Sequence, residues 1–115
     1  MNDKPHLDEE ALAELKDVME DEFDVLIHTY ISDSVDRLAS IRNALEAGDA
    51  DALVKAAHSF KGSSINIGAP RLGALCLEVE SAGREMRLDD AGPFLQEIDS
   101  EFHQVRSMLE RILKD

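Results

Sequence analysis

One histidine of the chain stands in surroundings that single it out. On a helical wheel with His58 at zero, Leu53, Ala56, Phe60, Ser63, Ser64 and Ile67 fall between about 140° and 240°. Val54, Lys61, Gly62 and Ile65 fall within about 60° of the histidine. His58 is therefore expected on the solvent side, opposite the apolar stripe. Gly62 costs about 1 kcal/mol relative to Ala in an exposed helix interior, and core packing supplies no reason for it. One turn beyond the imidazole, a glycine leaves room for a large group on the ring or for a partner's backbone. Charge points the same way. From Ala52 through Leu77 there is no Asp or Glu, although the chain carries 25, and that interval holds Lys55, His58, Lys61 and Arg71. A positive field around one exposed imidazole on an acidic protein suits an anion that arrives attached to something else. Lys61, three residues on, is placed to pair with oxygens of a phosphoryl group carried on the ring.

The elements that must hold this stretch read as helices throughout. A short first helix opens at the Asp8 cap and runs over about 8–18, as a lid or clamp. The second covers about 21–47, with Phe23, Ile27, Tyr30, Ser34, Leu38, Ile41 and Leu45 stepping by threes and fours before Gly48 stops it. Asp49 or Asp51 caps the third, about 49–67, which Gly68 ends. Pro70 opens a fourth over about 70–88, with Leu72, Leu75, Cys76, Val79, Ala82 and Met86 apolar. The fifth, about 91–114, carries Phe94, Ile98, Phe102, Val105, Leu109 and Ile112 and takes Pro93 in its first turn. Short connections force antiparallel neighbours. The expected fold is all-α, a single domain over 1–115: an antiparallel up-down-up-down four-helix bundle with a short additional N-terminal helix.

Composition narrows the partners. Twelve Lys and Arg against 25 Asp and Glu leave a net charge of −13, which repels phosphate backbones and anionic lipid heads, so neither nucleic acid nor membrane is expected. No stretch approaches the roughly 20 apolar residues of a membrane span, and the N-terminus has no apolar leader. The lone Cys76 lies on the apolar stripe of the fourth helix and reads as a small buried hydrophobe. A single cysteine closes no intrachain disulfide, and the expected setting is cytoplasmic.

The run His58-Ser-Phe-Lys61-Gly62-Ser63-Ser64-Ile-Asn-Ile-Gly68-Ala69 resembles the signature of histidine-containing phosphotransfer (HPt) domains of two-component phosphorelays, and Pro-Arg-Leu-Gly-Ala-Leu-Cys-Leu-Glu after it resembles that family's next helix. The resemblance implies a phosphocarrier and not an enzyme with its own kinase activity. His58 would accept a phosphoryl group from a phospho-aspartate receiver domain, such as that of a hybrid sensor kinase, and pass it to a response-regulator receiver. By the same resemblance Lys61 supports the phosphoryl group, Gly62 gives clearance, and Ser63 and Ser64 allow close helix packing. Glu80 stands where some members have a glutamine that hydrogen-bonds the imidazole; a carboxylate accepts from a ring N–H and biases the tautomer. Lys55 and Ile65 fall on the surface a partner would dock on. No cofactor or metal is expected on the chain, Mg²⁺ being supplied by the partner receiver, and the protein is expected to be a monomer. No ATP-binding motif occurs.

Other readings remain open on the residues alone. A non-catalytic acidic helical adaptor bundle leaves Gly62 unexplained. A metal-carboxylate bundle needs Glu-x-x-His pairs, but Asp3, Val25, Lys55 and Ser100 precede the four histidines by three. The phosphoacceptor segment of a sensor or chemotaxis kinase belongs to a longer chain. His6 lies in the tail, His28 and His103 at the flank or polar face of their helices, and none is assigned a role.

Overall fold

The computed structural model describes residues 4–114, among which no strand occurs. Five helices follow in order: α1 (Glu9–Met19), α2 (Asp21–Ala47), α3 (Ala50–Asn66), α4 (Pro70–Arg84) and α5 (Leu88–Lys114). Helices α2 to α5 form the expected up-down-up-down bundle, each packed on its chain neighbour with α5 closing back onto α2, and α1 lies against α2. The core is what the apolar spacing calls for. Phe23, Ile27 and Ile41 of α2 meet Leu53 and Phe60 of α3, Leu72, Cys76 and Val79 of α4, and Ile98, Val105 and Leu109 of α5, all fully buried. Phe60 and Phe102 pack edge to face with ring centroids 6.0 Å apart, tying α3 to α5 across the interior.

Caps set the helix starts. Asp8 accepts from the Ala11 N–H at 3.0 Å and Asp49 from the Ala52 N–H at 3.1 Å, each satisfying a free donor of a first turn. Three helix ends share one device. After α2, α3 and α4 the chain turns through a left-handed residue, at Gly48 (φ 67°), Gly68 (φ 87°) and Met86 (φ 58°). The next N–H then reaches back to a carbonyl of the last turn: Asp49 to Ala44 at 2.9 Å, Ala69 to Ser64 at 2.8 Å, and Arg87 to Ala82 at 2.8 Å. The third turn corrects the expected boundaries. Helix α4 stops at Arg84 rather than near 88, and α5 begins at Leu88 rather than near 91, because Met86 occupies the position that glycine fills in the other two turns. Pro93 consequently sits inside α5, beyond its first turn.

Residues 4–8 form an arm over the opposite end of the bundle. Arg71 Nε donates to the Lys4 carbonyl at 2.7 Å, the Asp8 N–H donates to the Gly68 carbonyl at 2.7 Å, and His6 Nδ1 lies 2.7 Å from Glu101 Oε2. Leu7 and Leu12 are buried, and Lys16 Nζ donates to the Ile112 carbonyl at 3.0 Å. The first helix is held as a clamp across α2 and α5.

Candidate functional site

The α3/α4 seam is unusually close because α4 offers glycine where α3 offers branched side chains. A Cβ at Gly73 would lie 2.7 Å from Ile65 Cγ1, and one at Gly83 would lie 2.8 Å from Val54 Cγ2 and 3.5 Å from the Ala50 carbonyl oxygen. Isoleucine and valine are stiff at χ1 in helices, so neither contact is relieved by a simple swing. Val54 and Ile65, which read from the wheel as surface apolars, are therefore seam residues, although Ile65 stays 56% exposed. Between the two glycine contacts the helices bring His58 of α3 opposite Glu80 of α4.

Glu80 is the centre of the arrangement. Its side chain is buried, and three cation-capable groups converge on it: His58 Nδ1 at 3.0 Å and Arg84 Nη2 at 2.8 Å from Oε2, and Lys61 Nζ at 2.7 Å from Oε1. Burial alone would raise its pKa, but the contacts from Lys61, Arg84 and His58 outweigh it and hold the carboxyl down to about 2. Glu80 is thus ionised at any physiological pH. An ionised carboxylate only accepts, so Nδ1 of His58 must carry the proton in the 3.0 Å contact. In a neutral ring the lone pair then resides on Nε2. The His58 side chain is 62% exposed, and a Cβ at Gly62 would meet nothing within 4 Å. The site is an oriented imidazole with a free nitrogen and open space beside it.

The structure brings His58, Lys61 and Glu80 together and leaves Gly62 beside them. The wheel's placement of His58 opposite the core needs one amendment: the ring is exposed, yet it leans on α4. Lys61, placed by sequence to meet an incoming anion, is turned to Glu80 and mostly covered. Lys55 is exposed and pairs with Asp51 at 3.1 Å on its own helix. Ser64 is buried and hydrogen-bonded to the Tyr30 hydroxyl at 2.9 Å, while Ser63 donates to the Phe60 carbonyl at 3.1 Å. Burial of Tyr30 pushes its pKa up to about 12, and that of Cys76 likewise to about 12, so both stay neutral. Sequence reasoning passed over Arg84, whose spacing of four from Glu80 on one helix is a readable signal. It also passed over Arg37, which donates from Nε to Ser59 Oγ at 2.8 Å. Among the described residues no group of three or more His, Cys, Asp or Glu side chains is placed to hold a metal ion; Asp3 lies outside them.

Comparison with known proteins agrees with this fold. The Hpt domain model matches residues 25–114, which takes in α3, α4 and α5 whole and all of α2 but its first turn. The crystal structure of histidine-containing phosphotransfer protein B (HptB) from Pseudomonas aeruginosa PAO1 is 46% identical, covers 93% of both chains and superposes with a TM-score of 0.89. The HPT domain of a hybrid histidine kinase from Shewanella has the same fold, at 21% identity and a TM-score of 0.77 over 95% of this chain and 94% of that one. No curated protein sequence matches. By the family match over residues 25–114 and its 46% identity to HptB, the chain belongs to the Hpt domain family.

Proposed function

We propose that this histidine phosphotransfer protein accepts a phosphoryl group on Nε2 of His58 from the phospho-aspartate of a receiver domain and hands it to the aspartate of another. The observation that carries the reading is the 3.0 Å contact between His58 Nδ1 and a buried, ionised Glu80. In the forward step a bond forms between Nε2 and phosphorus as the acyl-phosphate O–P bond breaks, and the electron pair leaves with the donor's carboxylate. The proton on Nδ1 stays where it is. The ring gains positive charge, which faces Glu80 at once. Attack by the acceptor's carboxylate reverses these changes, so transfer in and out requires no proton to move. Lys61, one turn from His58 and held on Glu80 Oε1, adds positive charge near the phosphoryl group, and Gly62 leaves space for that group and for the receiver. Ile65 on the seam and Lys55 on the flank belong to the docking surface. Mg²⁺ held by the receiver's own carboxylates supplies charge stabilisation at phosphorus. The chain itself acts as a monomeric phosphocarrier, in the cytoplasm with its partners.

The test is a transfer assay. Incubated with a phosphorylated receiver and Mg²⁺, the protein gains an acid-labile, base-stable phosphoryl group, and folded His58→Gln gains none. Undiminished label on His58→Gln would show that another residue is the acceptor.

A further inference from the structure

Glu80 Oε2 is a shared oxygen. It accepts from His58 Nδ1 at 3.0 Å and also from Arg84, at 2.8 Å from Nη2 and 3.3 Å from Nε. A carboxylate in contact with a histidine favours the imidazolium, since an opposite charge at contact moves a titration by about one to three units. An imidazolium has no lone pair on Nε2 and cannot attack phosphorus. The bond that fixes the tautomer therefore works against the nucleophile unless positive charge sits on the same carboxylate. Lys61 occupies the far oxygen, and Arg84 occupies the one His58 uses.

We propose that Arg84 is a positioning residue that acts through Glu80 to keep His58 an uncharged nucleophile near neutral pH, an inference that rests on His58 being the acceptor. The guanidinium takes up lone-pair capacity of Oε2 and offsets the negative charge there, so the carboxylate orients the imidazole without drawing a second proton onto it. Of the remaining charges near the ring, Lys61 shares this carboxylate on its far oxygen, and the others do not touch it. On α3, Lys55 is paired with Asp51, and Lys61 lies on Oε1. From α2, Arg37 is engaged with Ser59, and Asp33 lines a groove further along with Ser63 and Asn66. Glu80 is the anion in contact with the ring, and Arg84 is the cation on the contacting oxygen. Its side chain is 60% exposed, so it can be replaced without opening the core.

The experiment follows the imidazole resonances by NMR across a pH series in the full chain, for the parent protein, Arg84→Met and Arg84→Lys, and measures phosphorylation of each by phosphoramidate. In Arg84→Met the His58 ring should take up its proton at a pH higher by about one unit, with Arg84→Lys close to the parent. Phosphorylation of Arg84→Met near neutrality should fall several-fold and recover as the pH is raised. In the Glu80→Gln background, Arg84→Met should have no effect on the titration. An unmoved or lowered midpoint in Arg84→Met overturns the proposal, as does a shift that persists without the Glu80 carboxylate. Should the titration shift as expected while no variant nor the parent is phosphorylated on His58, the acceptor reading fails and the coupling of the three side chains stands. Normal phosphorylation with an unshifted midpoint leaves the acceptor reading intact and removes the role of Arg84.

Discussion

His58 Nδ1 meets Glu80 Oε2 at 3.0 Å across the α3/α4 seam, and His6 Nδ1 meets Glu101 Oε2 at 2.7 Å where the N-terminal arm crosses α5. The atoms are the same, and both carboxylates are buried. What surrounds them differs. The His58 ring is 62% exposed against 33% for His6, and it has Gly62 beside it with open space where a side chain would stand. His6 sits next to buried Leu7, in an arm fastened by the Arg71 side chain on the Lys4 carbonyl and by a backbone hydrogen bond from Asp8 to Gly68. One contact presents a nitrogen to solvent, and the other closes a clasp. A histidine on a carboxylate is therefore not in itself a site; the free second nitrogen, the clearance and the cations on the carboxylate are what the proposed site adds.

The largest expected separation between the two places is in transfer. Glu80→Ala removes the acceptor that fixes the His58 tautomer and should slow phosphoryl uptake about ten- to hundred-fold, by analogy with the loss of a partner that orients a metal-ligating histidine. Glu101→Ala should leave uptake within about two-fold while speeding amide exchange in residues 4–8. Equal losses in the two variants would erase the distinction. Gly73→Ala pushes a Cβ against Ile65 and should destabilise the protein by about 1–3 kcal/mol, read from denaturant midpoints. Ile65→Ala in the same chain should return part of that stability, because the two positions share one contact.

Acid sharpens the contrast next. Glu80 is held at about 2 in the folded chain against an ordinary 4.5, so the stability it contributes is fully present above 4.5 and is lost as the pH falls from there towards 2. With water screening at the exposed ends of His58 and Arg84, the effect is about 2 kcal/mol. Glu80→Gln should accordingly lose less stability than the parent protein over that window. An identical acid transition in both would show that the carboxylate is not stabilised by its three neighbours. The smallest effect has the opposite sign. Gly62→Ala should stabilise by up to about 1 kcal/mol, since an added Cβ meets nothing within 4 Å, while Gly62→Gln should slow transfer with its fold intact. Parallel losses of stability and transfer would make Gly62 structural.

Much of this is legible in the sequence. The helical spacing of Phe23, Ile27 and Ile41, the Asp8 and Asp49 caps and the Gly48 and Gly68 stops gave three of the helices, and the acid-free interval with Gly62 pointed to His58. The end of α4 was not legible, because Met86 adopts a left-handed turn that glycine signals elsewhere and a methionine does not. The seam contacts of Val54 and of Ile65, which does stay exposed, were hidden for a different reason. A wheel drawn on one helix shows which residues leave its own core stripe, but it cannot show that Gly73 and Gly83 draw a second helix over them. The His6–Glu101 clasp joins residues 95 apart, which no local pattern announces.

The central claim is that Glu80 holds the proton on Nδ1 and leaves Nε2 of His58 to react. It is tested most directly by the position of the phosphoryl group on the ring, read from phosphorus–nitrogen couplings in the ¹⁵N-histidine-labelled protein phosphorylated by a phospho-receiver. The account predicts a single phosphohistidine, at His58, bonded through Nε2, with Nδ1 still protonated. A phosphoryl group on Nδ1, or on any other histidine, would contradict it.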